Sequence, residues 1–159
     1  MVKYNVENSI LISNMISIDF CPRDKLQLSF QRTKSQMYSV LNYDKEFVCN
    51  DDLYVGLYRS VIFTFPNKKL LSYAPSKSTT YDCFKNICPY LNENISIMEH
   101  IDGIMIQLFY DERINGWVIA TKNRVGGEEI YYYDKDKRTI RQIFIETMGG
   151  MHNDDILNL

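Results

Sequence analysis

Between residues 53 and 123 the chain gathers β-branched and aromatic residues into short runs and separates them with turn-forming residues. "LYVGLYRSVIFTF" (53–65) alternates at Val61, Phe63 and Phe65, "PNKK" supplies a turn, and "LLSYA" (70–74) returns. Apolar alternation interrupted by a tight polar turn is the mark of an antiparallel hairpin. Further strands are expected near 95–100, 103–111 and 117–123, the last two joined by "DERING", and "EEIYYYD" (128–134) can add another. In a strand, Tyr131, Tyr132 and Tyr133 bury one face; left exposed, they would act as interface anchors. Nearer the start, segments 9–20 and 25–31 read as short strands, the second alternating at Leu26, Leu28 and Phe30.

Three segments carry helical spacing. "KSQMYSVLNY" (34–43) places Met37, Val40 and Leu41 on one face. "SKSTTYDCFKNICPYL" opens on capping residues and repeats Cys83, Phe84, Ile87 and Cys88 before Pro89. "KRTIRQIFIETM" (137–148) sets Ile140, Ile143, Phe144 and Thr147 on one stripe and stops at Gly149 and Gly150. Strand runs with segregated helices predict an α+β fold built on antiparallel sheet. With 159 residues and no repeat or linker, residues 1–159 are expected to form a single domain.

Composition narrows the function. A formal net charge of −2 gives no global attraction to nucleic acid or anionic membrane, so any phosphate contact needs a local basic patch. Cys21, Cys49, Cys83 and Cys88 form no CxxC pair and only His100 and His152 accompany them, which argues against a zinc site. Asp154 and Asp155 beside His152 read as a solvated tail, not as metal ligands. The first twenty residues are broken by Asn14 and Asp19, and no apolar run reaches the roughly 18 residues of a membrane span. A reduced, cytoplasmic setting without membrane contact is the expectation. The excess of Ile, Asn, Lys and Tyr is typical of AT-rich genomes, large DNA viruses among them, which would make the setting host cytoplasm or virion.

Candidate chemistry lies between residues 59 and 124. Gly103 closes a turn where a backbone can approach a ligand, with Asp102 beside it. Arg59 sits in a strand, Lys77 opens a loop and helix, and Lys122 and Arg124 follow the last hairpin strand. Gathered in one cleft, these cations would suit a polyphosphate. Scattered, they are solvated surface charges.

The order of these elements resembles the N-terminal half of phage-type ATP-dependent RNA ligases, members of the covalent nucleotidyltransferase superfamily. The resemblance spans residues 55–125 and rests on "RSVIFTFPNKKLLSYAPSK", "EHIDGIMIQLFYD" and "GWVIATKNR". It implies a partial nucleotidyltransferase, adenylation-domain-like fold. By resemblance, Arg59 holds nucleotide phosphates, although Ser60 replaces the family glycine. Lys77 contacts the adenylate region, Asp102 and Gly103 end the nucleophile motif, and Lys122 or Arg124 is the cation beyond the hairpin. The family lysine that attacks the α-phosphate of ATP is replaced here by His100, and the downstream carboxylate and lysine motifs are missing. The resemblance thus implies a catalytically deficient domain that keeps ATP (with Mg2+) or RNA binding. Its alternatives are one subunit of a split ligase completed by a protein partner, or a viral structural, assembly or host-interaction protein.

Overall fold

The computed structural model describes residues 26–44, 56–90, 95, 99 and 102–149. The strand expected at 9–20, most of that at 95–100, and His100, His152, Asp154 and Asp155 lie outside the described residues. The rest is a mixed architecture of antiparallel sheets and few helices, as the α+β reading expects. Strands β1 (Leu26–Arg32), β2 (Met37–Tyr43), β3 (Val61–Thr64) and β4 (Leu70–Tyr73) make one sheet in the order β1-β2-β3-β4, each pair antiparallel. Strands β5 (Gln107–Asp111) and β6 (Gly116–Ala120) form a separate hairpin. Among the described residues the named helices are α1 (Tyr81–Ile87) and α2 (Ile140–Thr147). Among the described residues no helix is long and apolar enough to cross a membrane.

Segment 34–43, expected to be helical, is instead the turn into β2 and β2 itself. Tyr38, Ser39, Val40 and Leu41 are all buried, because β2 lies between β1 and β3 and both its faces are covered. Two-sided burial removes the period-two signature that identifies a strand. The helical spacing of Met37, Val40 and Leu41 is thus a by-product of that continuous run. Three expected strands are also shorter than the sequence suggests. Residues 57–60 turn and bend into β3, and β6 stops at Ala120. Met105 and Ile106 stand across an open groove of about 450 Å³ from Leu70–Tyr73, so ladder pairing starts only at Gln107.

The strand expected at 128–134 is replaced by a turn. Only the isolated bridge between Ile130 and Thr139 remains, and Tyr132 and Tyr133 are 89% and 79% exposed. The turn closes on Arg138, which meets Asp134 at 2.7 Å and Glu146 at 2.5 Å, tying the loop to the last turn of α2. Thr139 caps α2: its hydroxyl accepts from the Gln142 N–H, while its own N–H donates to the Gln142 side chain. Helix α1 likewise begins at the Thr80 cap, as its sequence predicts.

One face of the four-stranded sheet packs on the hairpin. Tyr38, Val40 and Ile62 meet Phe109, Val118 and Ala120 in a buried cluster. A second cluster, on Leu26, Leu41, Val61 and Phe63, occupies the opposite face. Burying each large aliphatic or aromatic side chain stabilises by about 1.5–3 kcal/mol. Two polar contacts flank the shared cluster. Gln107 donates to Ser60 and accepts from Ser72, both at 2.8 Å. At the other end of β5, the Tyr38 hydroxyl donates to Asp111 at 2.8 Å and Arg113 forks onto the same carboxylate, with its guanidinium 5.0 Å above the Tyr38 ring. Burial alone would raise the Asp111 carboxyl, but the Arg113 and Tyr38 hydrogen bonds outweigh it and hold it below the usual carboxylate range. Burial, and then the bond to Asp111, push the Tyr38 phenol up.

Two stability outcomes follow. Tyr38→Phe removes one hydrogen bond and costs about 1 kcal/mol, whereas Asp111→Ala strands both the hydroxyl and the guanidinium and costs about 3 kcal/mol; urea unfolding measures both, and equal losses would reduce Asp111 to a partner of Tyr38 alone. On the surface, the Arg138 side chain holds the Asp134 carboxyl down at about 2, against an ordinary value of 3.8. A depressed carboxyl contributes stability above its unfolded value and loses it as pH falls through the folded one. The difference in unfolding midpoint between the wild type and Asp134→Asn is therefore full above about pH 4 and closes toward pH 2.

Candidate functional site

Three of the four candidate cations come to the same end of the four-stranded sheet. Arg59 lies two residues before β3, and Lys122 lies two residues after β6. Between them stands Asn42, the penultimate residue of β2. With its amide nitrogen turned toward the two carbonyls, Asn42 donates to Arg59 O at 2.7 Å and to Lys122 O at 3.1 Å. One carboxamide thus fixes the two cation-bearing backbones on either side of it. The neighbouring Tyr43 continues the arrangement: its N–H donates to Tyr58 O at 2.7 Å, and its ring lies 4.5 Å beneath the Lys122 ammonium. Lys122 Nζ is also 3.4 Å from the Tyr43 hydroxyl. An ammonium over an aromatic face is held by the ring quadrupole, which restricts an otherwise flexible side chain.

Lys77 joins this end through its backbone. Its N–H donates to Gly56 O at 2.9 Å, and a Cβ at Gly56 would stand 3.5 Å from the Lys77 Cβ. The "APSK" stretch is brought there because the Ala74 N–H donates to Ser60 O at 2.8 Å, extending the β3–β4 pairing past the ladder. Arg59, Lys77 and Lys122 are each half-buried. A half-buried cation keeps part of its surface in water while its stem can pack on the protein.

The other expected residues are placed differently. Asp102 and Gly103 are exposed, and the Asp102 carboxylate accepts from the Gly103 N–H at 2.9 Å. A Cβ at Gly103 would meet nothing within 4 Å, and Gly103 is not among the positive-φ glycines, so neither crowding nor backbone conformation demands glycine there. Arg124 leaves the cluster. The Thr121–Arg124 turn, closed by Thr121 N donating to Arg124 O at 2.8 Å, sends its side chain toward the turn of the β1–β2 hairpin. Among the described residues no three His, Cys, Asp or Glu side chains gather as a metal site.

Asn42 and Tyr43 escaped the sequence reading because segment 34–43 was expected to be helical. As a strand, the same residues continue the row that points Tyr38 and Val40 at the hairpin, and Asn42 is then the first polar residue past the core. Comparisons of the chain with protein-family models, with curated proteins and with solved structures found no match. Replacing Asn42 by Ala is expected to cost about 1–2 kcal/mol, since two carbonyls lose their shared donor. A urea midpoint unchanged in that variant would show that the carboxamide does not join the two segments.

Proposed function

We propose that the chain is an RNA ligase-like domain, derived from the nucleotidyltransferases and catalytically deficient, that binds a nucleotide such as ATP, with Mg2+ as the phosphates' companion ion, through Arg59, Lys77 and Lys122. The observation that supports it is the Asn42 bridge, which holds Arg59 and Lys122 in one place although they are far apart in sequence. Three cations at one sheet end, with an aromatic ring beneath one of them, suit a triphosphate and an adjacent base. In this reading the adenylation-domain-like fold is partial and RNA is the wider substrate class. Asp102 and Gly103 mark where the family motif stood, and His100 replaces the lysine that transfer requires.

A second reading has its own observation. Tyr132 and Tyr133 are almost fully exposed, with Ile130 beside them 60% exposed, and aromatic side chains of that kind serve as anchors for another chain. That reading covers both a subunit completed by a protein partner and a viral assembly or host-interaction module.

Calorimetric titration with ATP and Mg2+ tests the first reading. The wild type is expected to bind, and Arg59→Ala and Lys122→Ala each to weaken binding about tenfold, the scale of one charge-assisted contact. No heat of binding at millimolar ATP would leave the protein-interaction reading standing alone. Incubation with α-labelled ATP and Mg2+, followed by a denaturing gel, is expected to give no labelled protein. A labelled band lost in His100→Ala would show that transfer survives.

A further inference from the structure

The face of the larger sheet turned away from the β5–β6 hairpin is only partly covered. Strand register puts Leu28 and Phe30 on the side of Leu41, and sets Met37 across from Arg32 on that same side. Phe65 joins them just past β3, its N–H donating to Met37 O at 3.3 Å. Leu26, Leu41, Val61 and Phe63 are buried on this face, but Leu28, Phe30, Met37 and Phe65 are 46%, 58%, 37% and 42% exposed. Phe30 and Phe65 meet edge-to-face at 5.3 Å across β2, where Ser39, opposite Phe30, is small and buried. The open rings are thus braced against each other. Neither α1 nor α2 adds a side chain to the cluster on this face. A contiguous apolar patch of a few hundred Å² on a soluble protein marks a contact surface.

Charge stands at one corner of the patch. Arg32 continues the Leu28–Phe30 row and Lys34 follows in the β1–β2 turn; both are exposed. Among the described residues neither forms an ion pair, and β1, β2 and β3 carry no carboxylate on this face. The complementary occupant is apolar over the rings and acidic beside Arg32. Addition of a strand to β1 is hindered, because the Gln31 side chain donates to Asn123 O and accepts from the Val125 N–H at 2.8 Å along that edge. Contact therefore comes through side chains, and the patch spans β1 to β3, about 10 Å, close to two turns of helix. A second copy of this chain brings no carboxylate on its matching face, and a stable dimer needs about 800 Å² from each partner, more than the patch supplies. A bilayer is uniform in its plane and is better matched by cations all round an apolar patch than at one corner.

We infer that this face docks an acidic amphipathic helix of a partner protein. The helix lays its aliphatic stripe on Leu28, Phe30, Met37 and Phe65, and its carboxylates meet Arg32 and Lys34. The braced rings act as the anchors, while the two cations select the partner's charge and set its orientation. The surface shares no residue with Arg59, Lys77 and Lys122 or with the exposed tyrosines, so it stands or falls apart from both readings above.

Fluorescence anisotropy of the full chain tests it with two labelled helical peptides that share one leucine stripe, the first flanked by glutamates and the second by lysines. The glutamate peptide is expected to bind at least tenfold more tightly than the lysine peptide. Phe30→Ala is expected to weaken that binding about tenfold, the scale of one anchor side chain. Arg32→Glu combined with Lys34→Glu is expected to reverse the preference, so that the lysine peptide binds more tightly. A damaged fold cannot produce that gain. Arg59→Ala is expected to leave peptide affinity unchanged. Vesicles of phosphatidylserine and size-exclusion runs at rising protein concentration report the other occupants. No binding of the glutamate peptide, equal binding of the two peptides, or indifference to the Phe30 change would overturn the inference. So would a vesicle affinity above that for the peptide, or a dimer that Phe30→Ala dissolves. None of these outcomes touches the ATP titration.

Discussion

The inward row of β5, formed by Gln107, Phe109 and Asp111, holds the two sheets together and fixes everything built on them. Phe109 enters the shared cluster, while the residues two positions to either side carry hydrogen bonds to Ser60, Ser72 and Tyr38. A purely apolar row would attract the opposing sheet but leave the hairpin free to slide along it, since apolar contact is non-directional. Polar contacts with defined partners at both ends make a displaced register costly, because every shift would bury an unsatisfied group. Among the described residues no buried side-chain polar atom lacks a partner. The position of β6, and with it the departure point of Lys122 and Arg124, follows from this register.

Much of this was legible in the residues themselves. The β3–β4 and β5–β6 hairpins announce themselves by alternation and turn chemistry, and both helices by apolar spacing, with capping residues before α1 and a glycine stop after α2; the Thr139–Gln142 box that starts α2 emerged only in the structure. What resisted reading was anything decided by tertiary surroundings. β2 lost its alternation to burial on two faces, and the tyrosines at 131–133 carry strand propensity that the Asp134–Arg138 ion pair turns away from the sheet. Propensity is a local quantity, and both segments were settled by partners distant in the chain or by a turn closed on an ion pair.

The candidate site shows the same division. The sequence puts Arg59 in a strand, Lys77 at the opening of a loop and Lys122 at the end of a hairpin strand; that Asn42 gathers two of them is not legible there, because the contact depends on a strand that looked helical. Arg124 follows Lys122 by only two residues, yet the Thr121 turn directs it elsewhere, so proximity in sequence misleads where a turn intervenes. Gly103 was singled out for close approach, whereas a glycine that does need its lack of a side chain is Gly127. It has φ +65°, and a Cβ there would stand 3.3 Å from the Arg141 nitrogen. Gly127 also docks α2, its carbonyl accepting from Arg141 N at 2.9 Å.

Segment 122–125 holds Lys122 at the candidate site and carries Arg124 away from it. Its start is held where Asn42 donates to Lys122 O, and its end where Gln31 pairs with Asn123 O and the Val125 N–H. Both anchors come from side chains on β1 and β2, so a four-residue connection is fixed on the same face of one hairpin at two points. A loop free to move would have to lose conformational entropy on binding, whereas a backbone already ordered presents Lys122 and Arg124 with that cost met during folding. Neither cation needs a deep pocket for this to matter. For exposed phosphate contacts, which are individually weak and screened by salt, prior ordering of the backbone is the main means by which a protein of net negative charge can hold an anion at a chosen place.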